Sequence, residues 1–525
     1  MASISGLGAA ESDLYKRLLV ELRRRQPRNL IRSAYMDGRR AAAAVSPMLP
    51  PYLRNVGAVL GWPAKAVESL SRRTRLEGFA APGVNLADFG IPALLDDNQY
   101  SAEVRQTELS SLVHAVAWEI VTRGGPGEPD VLITSKTALD GTGTWNRRTR
   151  RLDDFLSVNE WHADGDPLDF ALYLPGRTIV VEGRRVVSDQ THSLHVPVHP
   201  VRYKPRHDRV FGQSRISRPV MFLTDAAVRA MLRMEGTADF YGTPHLLLLG
   251  ASLDQFSKED GSAVNTWDFL MSKINGLPDD EQAVNPRAQV QQIAQASQQP
   301  HMAQLDTIAA AFAGETNIPV SSLGVGVHQA NPTSAESYLA SREDLIAESE
   351  DAADTWGAGH VRAVQDAWRL ANGGAELPAE LRGLRAVYQD PRQTSRAAAA
   401  DATVKLVGAF PWMAESDALL GALGLPADLV ERLRADKARA RSSADLRALV
   451  APGGVPAGPS EADEAAAMKA KFDALGVAIR SGVDPEQAAE RIGLPGIRFT
   501  GAIPVSLRPP ADEAERLEPK NGDAG

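Results

Sequence analysis

The sequence contains no cysteine in 525 residues. This absence excludes disulfides, cysteine-ligated zinc, iron–sulfur clusters and cysteine nucleophiles. No apolar run approaches the roughly 18–20 residues that a membrane-spanning helix needs, and the longest are His245–Gly250 and Ala41–Val45. Aromatic residues make up only 6% of the chain, whereas helix formers dominate. We therefore expect an α+β protein that is rich in helix and divided into several domains.

Positive charge is also in short supply. The chain has 57 lysines and arginines against 66 aspartates and glutamates, which gives a formal net charge of −9. Proteins that grip nucleic acid by neutralising phosphates are usually basic. If DNA is a partner of this chain, we expect loose passage rather than tight binding.

The common catalytic motifs are missing. Nothing matches the phosphate-binding loop of NTPases, the G-x-S-x-G elbow of hydrolases or the H-E-x-x-H motif of zinc proteases. The segment Gly324–Gly326 lacks the third glycine of a dinucleotide-binding loop, so we interpret it as an ordinary loop. These absences make an assembly protein competitive with an enzyme, and no cofactor is expected.

Two groups of residues are candidate metal ligands. The first consists of four histidines, of which two share one strand face: His192, His195, His199 and His207. The second consists of three aspartates without the pattern of a calcium loop: Asp164, Asp166 and Asp169. No carboxylate stands at matching spacing to the histidines. We prefer an exposed strand edge for the first group and a polar hairpin turn for the second.

Two basic runs are candidate phosphate contacts: Arg147–Arg151 and Arg23–Arg25. The first run is followed directly by Asp153 and Asp154, which partly neutralise it. Runs of this kind are usually solvated surface, and we prefer that interpretation for both.

Apolar spacing predicts the secondary structure. Helices are expected at 11–30, where Pro27 should end the run, and at 101–122, 218–235 and 301–313. A β-rich region is expected at 130–210. The longest helix should begin at Pro332 and continue to Gly373, with a bend or loosening at 356–359 because of two glycines.

Several segments resemble the portal proteins of tailed double-stranded DNA bacteriophages, in the branch common among actinobacterial siphophages. The strongest match joins two segments, Asn317–Gly324 and Asn331–Ser337. The other matching segments, in chain order, are Leu30–Gly38, Gly61–Pro63, Val67–Leu70, Leu76–Phe79, Tyr173–Gly176, Tyr388–Pro391, Ala400–Ala402 and Lys405–Leu406. Their order and spacing extend the resemblance from about residue 12 to about residue 440.

The resemblance implies a fold with wing, stem, clip and crown regions and a long kinked helix behind a channel loop. The implied regions are the wing (1–215), a stem helix (216–238), the clip (239–300), a second stem helix (301–314), the tunnel loop (315–333), the long helix (334–374), the wing return and crown helices (375–450), and a linker, small helical piece and disordered tail (451–525).

The resemblance also implies a function: a dodecameric ring at one capsid vertex, through which genomic double-stranded DNA is packaged and ejected. Implied partners are the large terminase subunit, the major capsid and scaffolding proteins and the head–tail connector, with no membrane. The protein would be assembled in the host bacterial cytoplasm and reside in the virion.

Site residues follow from position in this scheme. His328, Gln329 and Asn331 lie in the implied tunnel loop and are candidates to approach DNA. Arg229 and Arg233 lie on one face of the implied stem helix and are candidates for intersubunit or channel-facing charge contacts. Two alternatives stay open: another virion structural protein, such as a head–tail adaptor or minor capsid protein, and a metal-dependent hydrolase built on the histidines.

Overall fold

The computed structural model describes most of the chain up to residue 392 and shorter stretches beyond it. The described residues are 4–41, 53, 56–242, 246–249, 289–292, 297–325, 340, 342–392, 396–410, 419, 432–433, 435–437, 439, 461–480, 484–494 and 496–497. The chain divides into two compact units, Met1–Gln393 and Thr394–Gly525. Across the described part, no helix has the length and apolar character to cross a bilayer.

In the first unit, helices precede and follow an uninterrupted run of strands between residues 116 and 202. In chain order they are α1 (Ala9–Met36), α2 (Trp62–Ser71), β1 (Leu76–Ala80), a 3-10 turn (Leu86–Phe89), α3 (Ile91–Asp97), α4 (Tyr100–His114), β2 (Val116–Arg123), β3 (Val131–Thr137), β4 (Gly141–Asn146), β5 (Arg151–Trp161), β6 (Pro167–Leu174), β7 (Arg177–Glu182), β8 (Arg185–Thr191), β9 (Val198–Arg202), α5 (Arg218–Gly242), β10 (Leu246–Leu249), β11 (Gln289–Gln292), α6 (Gln299–Thr316), a second 3-10 turn (Val320–Leu323), α7 (Glu343–Ala371), α8 (Ala379–Arg382) and β12 (Arg385–Tyr388).

The strands form antiparallel sheets. A five-stranded meander has the order β4-β5-β6-β7-β8, and a three-stranded sheet has the order β3-β2-β9. Two further pairs join β1 to β12 and β10 to β11. The fold class is thus mixed helix and sheet, with the β-rich region where the sequence predicted it.

The central strand β2 links the two larger sheets through its alternating side chains. Val116, Trp118 and Ile120 pack with Phe155 in the core of the five-stranded meander. Val121, on the opposite face, packs with residues of α7. Since successive side chains of a strand point to opposite faces, β2 is buried on both sides.

This double burial explains one wrong prediction. The sequence predicted a helix over 101–122, but α4 ends at His114, and Ala115 follows it with φ +84°. The apolar residues from Val116 onward form β2 because that strand lies between β3 and β9. A strand covered on both faces is continuously apolar and has no alternation to distinguish it from a helix.

Pro27 does not end α1, which continues to Met36. Proline inside a helix removes one backbone hydrogen bond and costs about 3 kcal/mol. Burial on both sides of Pro27 offsets that cost, since Leu22 and Tyr35 are both in the core. The side chain of Asn29 also donates to the Ala138 carbonyl at 3.2 Å.

The two glycines of the long helix serve packing. The helix α7 continues from Glu343 to Ala371 through Gly357 and Gly359. A Cβ on Gly359 would lie 2.9 Å from the Pro200 carbonyl oxygen of β9. Glycine therefore allows the helix to lie directly on the strand backbone. The predicted start of this helix at Pro332 lies outside the described residues.

Three helices of the second unit have defined bounds. They are α9 (Arg396–Ala409), α10 (Glu461–Arg480) and α11 (Pro485–Ile492). Leu475 of α10 packs with Ala488 and Ala489 of α11. Asp484 caps α11 by accepting from the backbone amides of the second and third residues that follow it, each at 3.1 Å.

Candidate functional site

Helices α5 and α6 pack against each other in the first unit. Ala227 of α5 and Ala309 and Phe312 of α6 are completely buried in the same core. The predicted stem residues Arg229 and Arg233 lie one turn apart on α5, and both are partly buried. Phe222, on the same helix, is 64% exposed, which leaves a large apolar side chain in solvent.

A buried ion pair fixes the point where these helices meet α7. Arg215, just before α5, and Glu348, in the first turns of α7, are each 6% exposed. Their Nη1 and Oε1 atoms lie 2.5 Å apart. Lys204 also contacts Glu348, at 2.5 Å, and the Tyr203 hydroxyl donates to the same carboxylate.

The same arginine holds two helices by their backbones. Its Nε donates to the Ala66 carbonyl of α2 at 2.8 Å, and its Nη2 donates to the Thr316 carbonyl at the end of α6 at 2.6 Å. Asn317, the next residue, donates from its side chain to Glu348 Oε2 at 3.2 Å. We call these residues (Tyr203, Lys204, Arg215, Thr316, Asn317 and Glu348) the junction cluster.

The electrostatics of the junction cluster keep the carboxylate charged. Burial alone would raise the pKa of Glu348. The Arg215 guanidinium and the hydrogen bonds to the carboxylate outweigh burial and lower this pKa from 4.5 to about 2. Burial also raises the pKa of Tyr203. The charged, hydrogen-bonded cluster therefore fixes the C-terminal end of α6 to α7, at the start of the 315–333 segment.

A second buried network lies between α7 and β2. His360 is completely buried, with Nδ1 2.8 Å from Glu119 Oε1 and Nε2 3.4 Å from Glu108 Oε1. The Tyr100 hydroxyl donates to Glu119 at 3.0 Å, and the Tyr388 hydroxyl donates to Glu108 at 2.8 Å. The network thus joins α4, β2, α7 and β12.

The imidazole of this network is held as a cation. Burial lowers the pKa of His360, but the two glutamates outweigh burial and raise this pKa to about 10. Burial raises the pKa of Glu108. A buried cation placed between two buried carboxyl groups suits a structural bridge, because removing either partner would leave a buried charge without its counter-charge.

The four histidines were considered as metal ligands, but an exposed strand edge was the preferred interpretation. That interpretation is wrong for His199, which is buried on β9. His199 Nε2 lies 3.1 Å from Asp366 Oδ2, whereas His192 contacts the Thr178 hydroxyl at 3.2 Å. His207 is exposed in the loop after β9. Within the described ranges, no group of three or more histidines and carboxylates could hold a metal ion.

Asp164 and Asp166 lie in the polar turn between β5 and β6, as the preferred interpretation had it, whereas Asp169 lies on β6. Asp166 pairs with Arg23 at 2.5 Å, and Asp164 lies 3.0 Å from His162. Asp169 accepts from the Gly183 amide at 2.9 Å. The basic residues Arg147–Arg151 occupy the exposed turn between β4 and β5 and the first position of β5.

The tunnel-loop candidates His328, Gln329 and Asn331 lie outside the described residues. Sequence reasoning missed both buried networks. Arg215 and Glu348 are 133 positions apart, so no local pattern connects them. The one signal available was a charged residue at an apolar position of a helix, as at Glu348 beside Leu345 and Ile346.

Comparison with known proteins defines the class. The family described as "Phage portal protein, SPP1 Gp6-like" matches residues 21–412 of this chain. That match covers well over half of the sequence, so the chain belongs to this family of phage portal proteins. The family predicted from the sequence is confirmed.

Two curated relatives are portal proteins of mycobacteriophages. The portal protein of Mycobacterium phage D29 is 26% identical over 388 residues, covering 72% of this chain and 78% of the relative. The portal protein of Mycobacterium phage L5 is 25% identical over 390 residues, with the same coverage of both chains. Both relatives come from phages of an actinobacterial host, in agreement with the predicted branch.

Solved structures give weaker matches. A chain from the neck of an empty gene transfer agent particle matches with a TM-score of 0.40 and 13% identity, covering 73% of this chain and 96% of the other. A chain from the neck of the native particle matches with a TM-score of 0.35 and 13% identity, covering 74% and 97%. The family assignment rests on the sequence matches.

Proposed function

We propose that this chain is the subunit of a portal ring at one capsid vertex of a tailed phage, and that genomic double-stranded DNA passes through the ring. The observation that carries the proposal is the family match over residues 21–412. The protein works as a virion structural protein and not as an enzyme. A dodecamer is the expected state of the ring.

The described fold supports assigning the portal regions to this sequence. In this assignment 1–215 form the wing, the stem helices 216–238 and 301–314 correspond to α5 and α6, and 239–300 form the clip. The tunnel loop is 315–333, the long helix is 334–374, and 375–450 contain the wing return and crown. The close packing of α5 on α6 is what a rigid channel wall requires.

The junction cluster supports the assignment of the tunnel loop. It clamps Thr316 and Asn317 to α7, so the loop starts from a fixed anchor. His328, Gln329 and Asn331 would extend from that anchor toward DNA. The net charge of −9 fits this role, because strong phosphate contacts would stall a sliding duplex.

The proposed partners follow from the same role. The large terminase subunit docks on the ring during packaging, and the head–tail connector docks afterwards. The major capsid and scaffolding proteins surround the ring during assembly in the host cytoplasm. The ring needs no cofactor and no membrane.

Particle production tests the function. A phage lacking this chain should make particles without packaged DNA, and supplying the chain in trans should restore nuclease-resistant DNA inside particles. Antibody-labelled chain should appear at one vertex of each particle. Labelling over the whole capsid surface would instead favour the minor capsid protein.

Two sets of substitutions test the proposed site residues. Replacing His328, Gln329 and Asn331 with alanine should reduce packaged or retained DNA while rings still form. Unchanged packaging would remove these residues from the channel assignment.

The stem residues call for charge reversal. The double variant R229E/R233E should impair ring assembly, because both residues lie on the proposed stem. The charge-matched variant R105E/R382E, placed on α4 and α8, should assemble normally. Normal rings and packaging in R229E/R233E would contradict the stem assignment.

A further inference from the structure

An arginine-rich cavity lies between α1, the start of β2, β4 and the loop after β9. Its volume is about 360 Å³, within the range of cavities that hold small ligands. Four arginines line it, three from α1 and one from the loop: Arg25, Arg28, Arg32 and Arg209. Positions 25, 28 and 32 share one face of a helix, which explains why these side chains converge.

The cavity carries an excess of positive charge. Asp208 is the one carboxylate in its lining, and it already lies 3.1 Å from Arg206 and 3.8 Å from Arg209. Arg25 pairs with Glu21, which lies outside the lining, at 3.4 Å. Among the described residues, Arg28 and Arg32 form no ion pair with a carboxylate.

Arg32 is unfavourably placed in this cavity. Its Nη1 donates to the Asn29 side chain at 3.0 Å, but its buried Nε has no hydrogen-bond partner among the described residues. Burial, and to a smaller extent the charges of Arg28 and Arg209, together lower the pKa of Arg32 to about 10. Buried charges of one sign are costly unless a counter-charge is supplied.

A second polar group in the lining also lacks a partner. Thr142 is 2% exposed, and its Oγ1 has no hydrogen-bond partner within the described part of the chain. Buried hydroxyls nearly always have a partner. Burial, with a smaller contribution from Arg32, lowers the pKa of His114 to about 4, so this lining residue is neutral near pH 7.

We propose that this cavity, bounded by Arg25, Arg28, Arg32 and Arg209, binds a phosphate-bearing anion. Planar guanidinium groups match phosphate oxygens in pairs, and several of them converge here on one space. A phosphate group supplies more charge and more acceptor oxygens than a single carboxylate, so it fits the uncompensated charge better. The binding site is independent of the proposed portal function.

Isothermal titration of the full chain with pyrophosphate, in a phosphate-free buffer, tests the site. The wild type should bind one pyrophosphate per chain. The variant R28E/R209E, which changes two exposed arginines of the lining, should lose at least about 100-fold in affinity, because two charge-assisted contacts are removed. Its circular dichroism and thermal melt should match those of the wild type.

The control is R24E, a single charge reversal on the same helix. Arg24 lies on the same helix, is 77% exposed and is outside the cavity lining. Its affinity for pyrophosphate should stay within a few-fold of the wild type. Equal loss of binding in R24E and R28E/R209E would overturn the site, since it would show only a general charge effect.

Competition identifies the source of the phosphate. A short single-stranded oligonucleotide that displaces pyrophosphate would assign the site to a nucleic-acid backbone, whereas no displacement would assign it to a small free phosphate compound. The absence of saturable pyrophosphate binding by the wild type would overturn the proposal. So would an acidic peptide that binds, with the same dependence on Arg28 and Arg209, where pyrophosphate does not.

Discussion

The junction cluster gives the sharpest mutational prediction. Replacing Arg215 with methionine removes the guanidinium, which lies 2.5 Å from Glu348, but keeps an unbranched side chain. It also removes the bonds to the Ala66 and Thr316 carbonyls. Breaking a buried pair by removing one partner costs about 3–5 kcal/mol. We expect the lower end, about 3 kcal/mol, because Lys204 still contacts the carboxylate.

Local hydrogen exchange is the appropriate assay. A chain of several units need not unfold in two states, so a single free energy of unfolding is not well defined. Exchange reports the opening of individual segments. A loss of about 3 kcal/mol corresponds to about 100-fold faster exchange. We expect this acceleration at the end of α6 and in the first turns of α7.

Two companion variants complete the design. R206M alters a nearby arginine whose exposed pair with Asp208 should contribute at most about 1 kcal/mol. The double variant R215M/E348M removes both buried charges and should recover most of the loss. Two results would contradict a stabilising role for the junction cluster. One is hydrogen exchange in R215M that is no faster than in R206M, and the other is faster exchange in the double variant than in R215M.

Three further predictions concern single groups. The pKa of Glu348 is lowered from 4.5 to about 2, so its contribution to stability is complete above pH 4.5 and is lost as the pH falls toward 2. The melting temperature of E348Q should therefore differ from that of the wild type near neutral pH and converge with it in acid. The pKa of His360 is raised from 6.5 to about 10, so its contribution is complete below pH 6.5 and is lost as pH rises through 10; a wild-type alkaline transition that persists unchanged in H360Q would contradict this. Gly212 has φ +84°, and a Cβ there would lie 2.2 Å from the Tyr203 carbonyl oxygen, so G212A should cost at least about 2 kcal/mol, seen as about 30-fold faster local hydrogen exchange. G38A, at φ +65° with open space around it, should cost about 1 kcal/mol and accelerate local exchange by about 5-fold.

The sequence predicted those features that have a local signature. The helices around 11–30, 218–235 and 301–313 showed apolar spacing, and the structure has α1, α5 and α6 there. The β-rich region was marked by turns between short apolar runs. The family emerged from the order of several weak segments, which no single one of them would have established.

Features that depend on tertiary contact were missed. The strand β2 was mistaken for helix because both of its faces are buried. The five-stranded sheet covers one face and α7 covers the other, and neither contact can be recognised in the local sequence. The roles of Gly359 and Arg215 depend on neighbours more than 100 positions away in the chain. The four histidines looked like a group because they are close in sequence, yet the fold places His192 beside Thr178 and His199 beside Asp366.

Electron microscopy of the purified full-length protein, combined with its mass in solution, tests the central claim most directly. The account predicts closed rings of the chain with a central hole wide enough for a DNA duplex. A closed dimer or tetramer without a channel would contradict it.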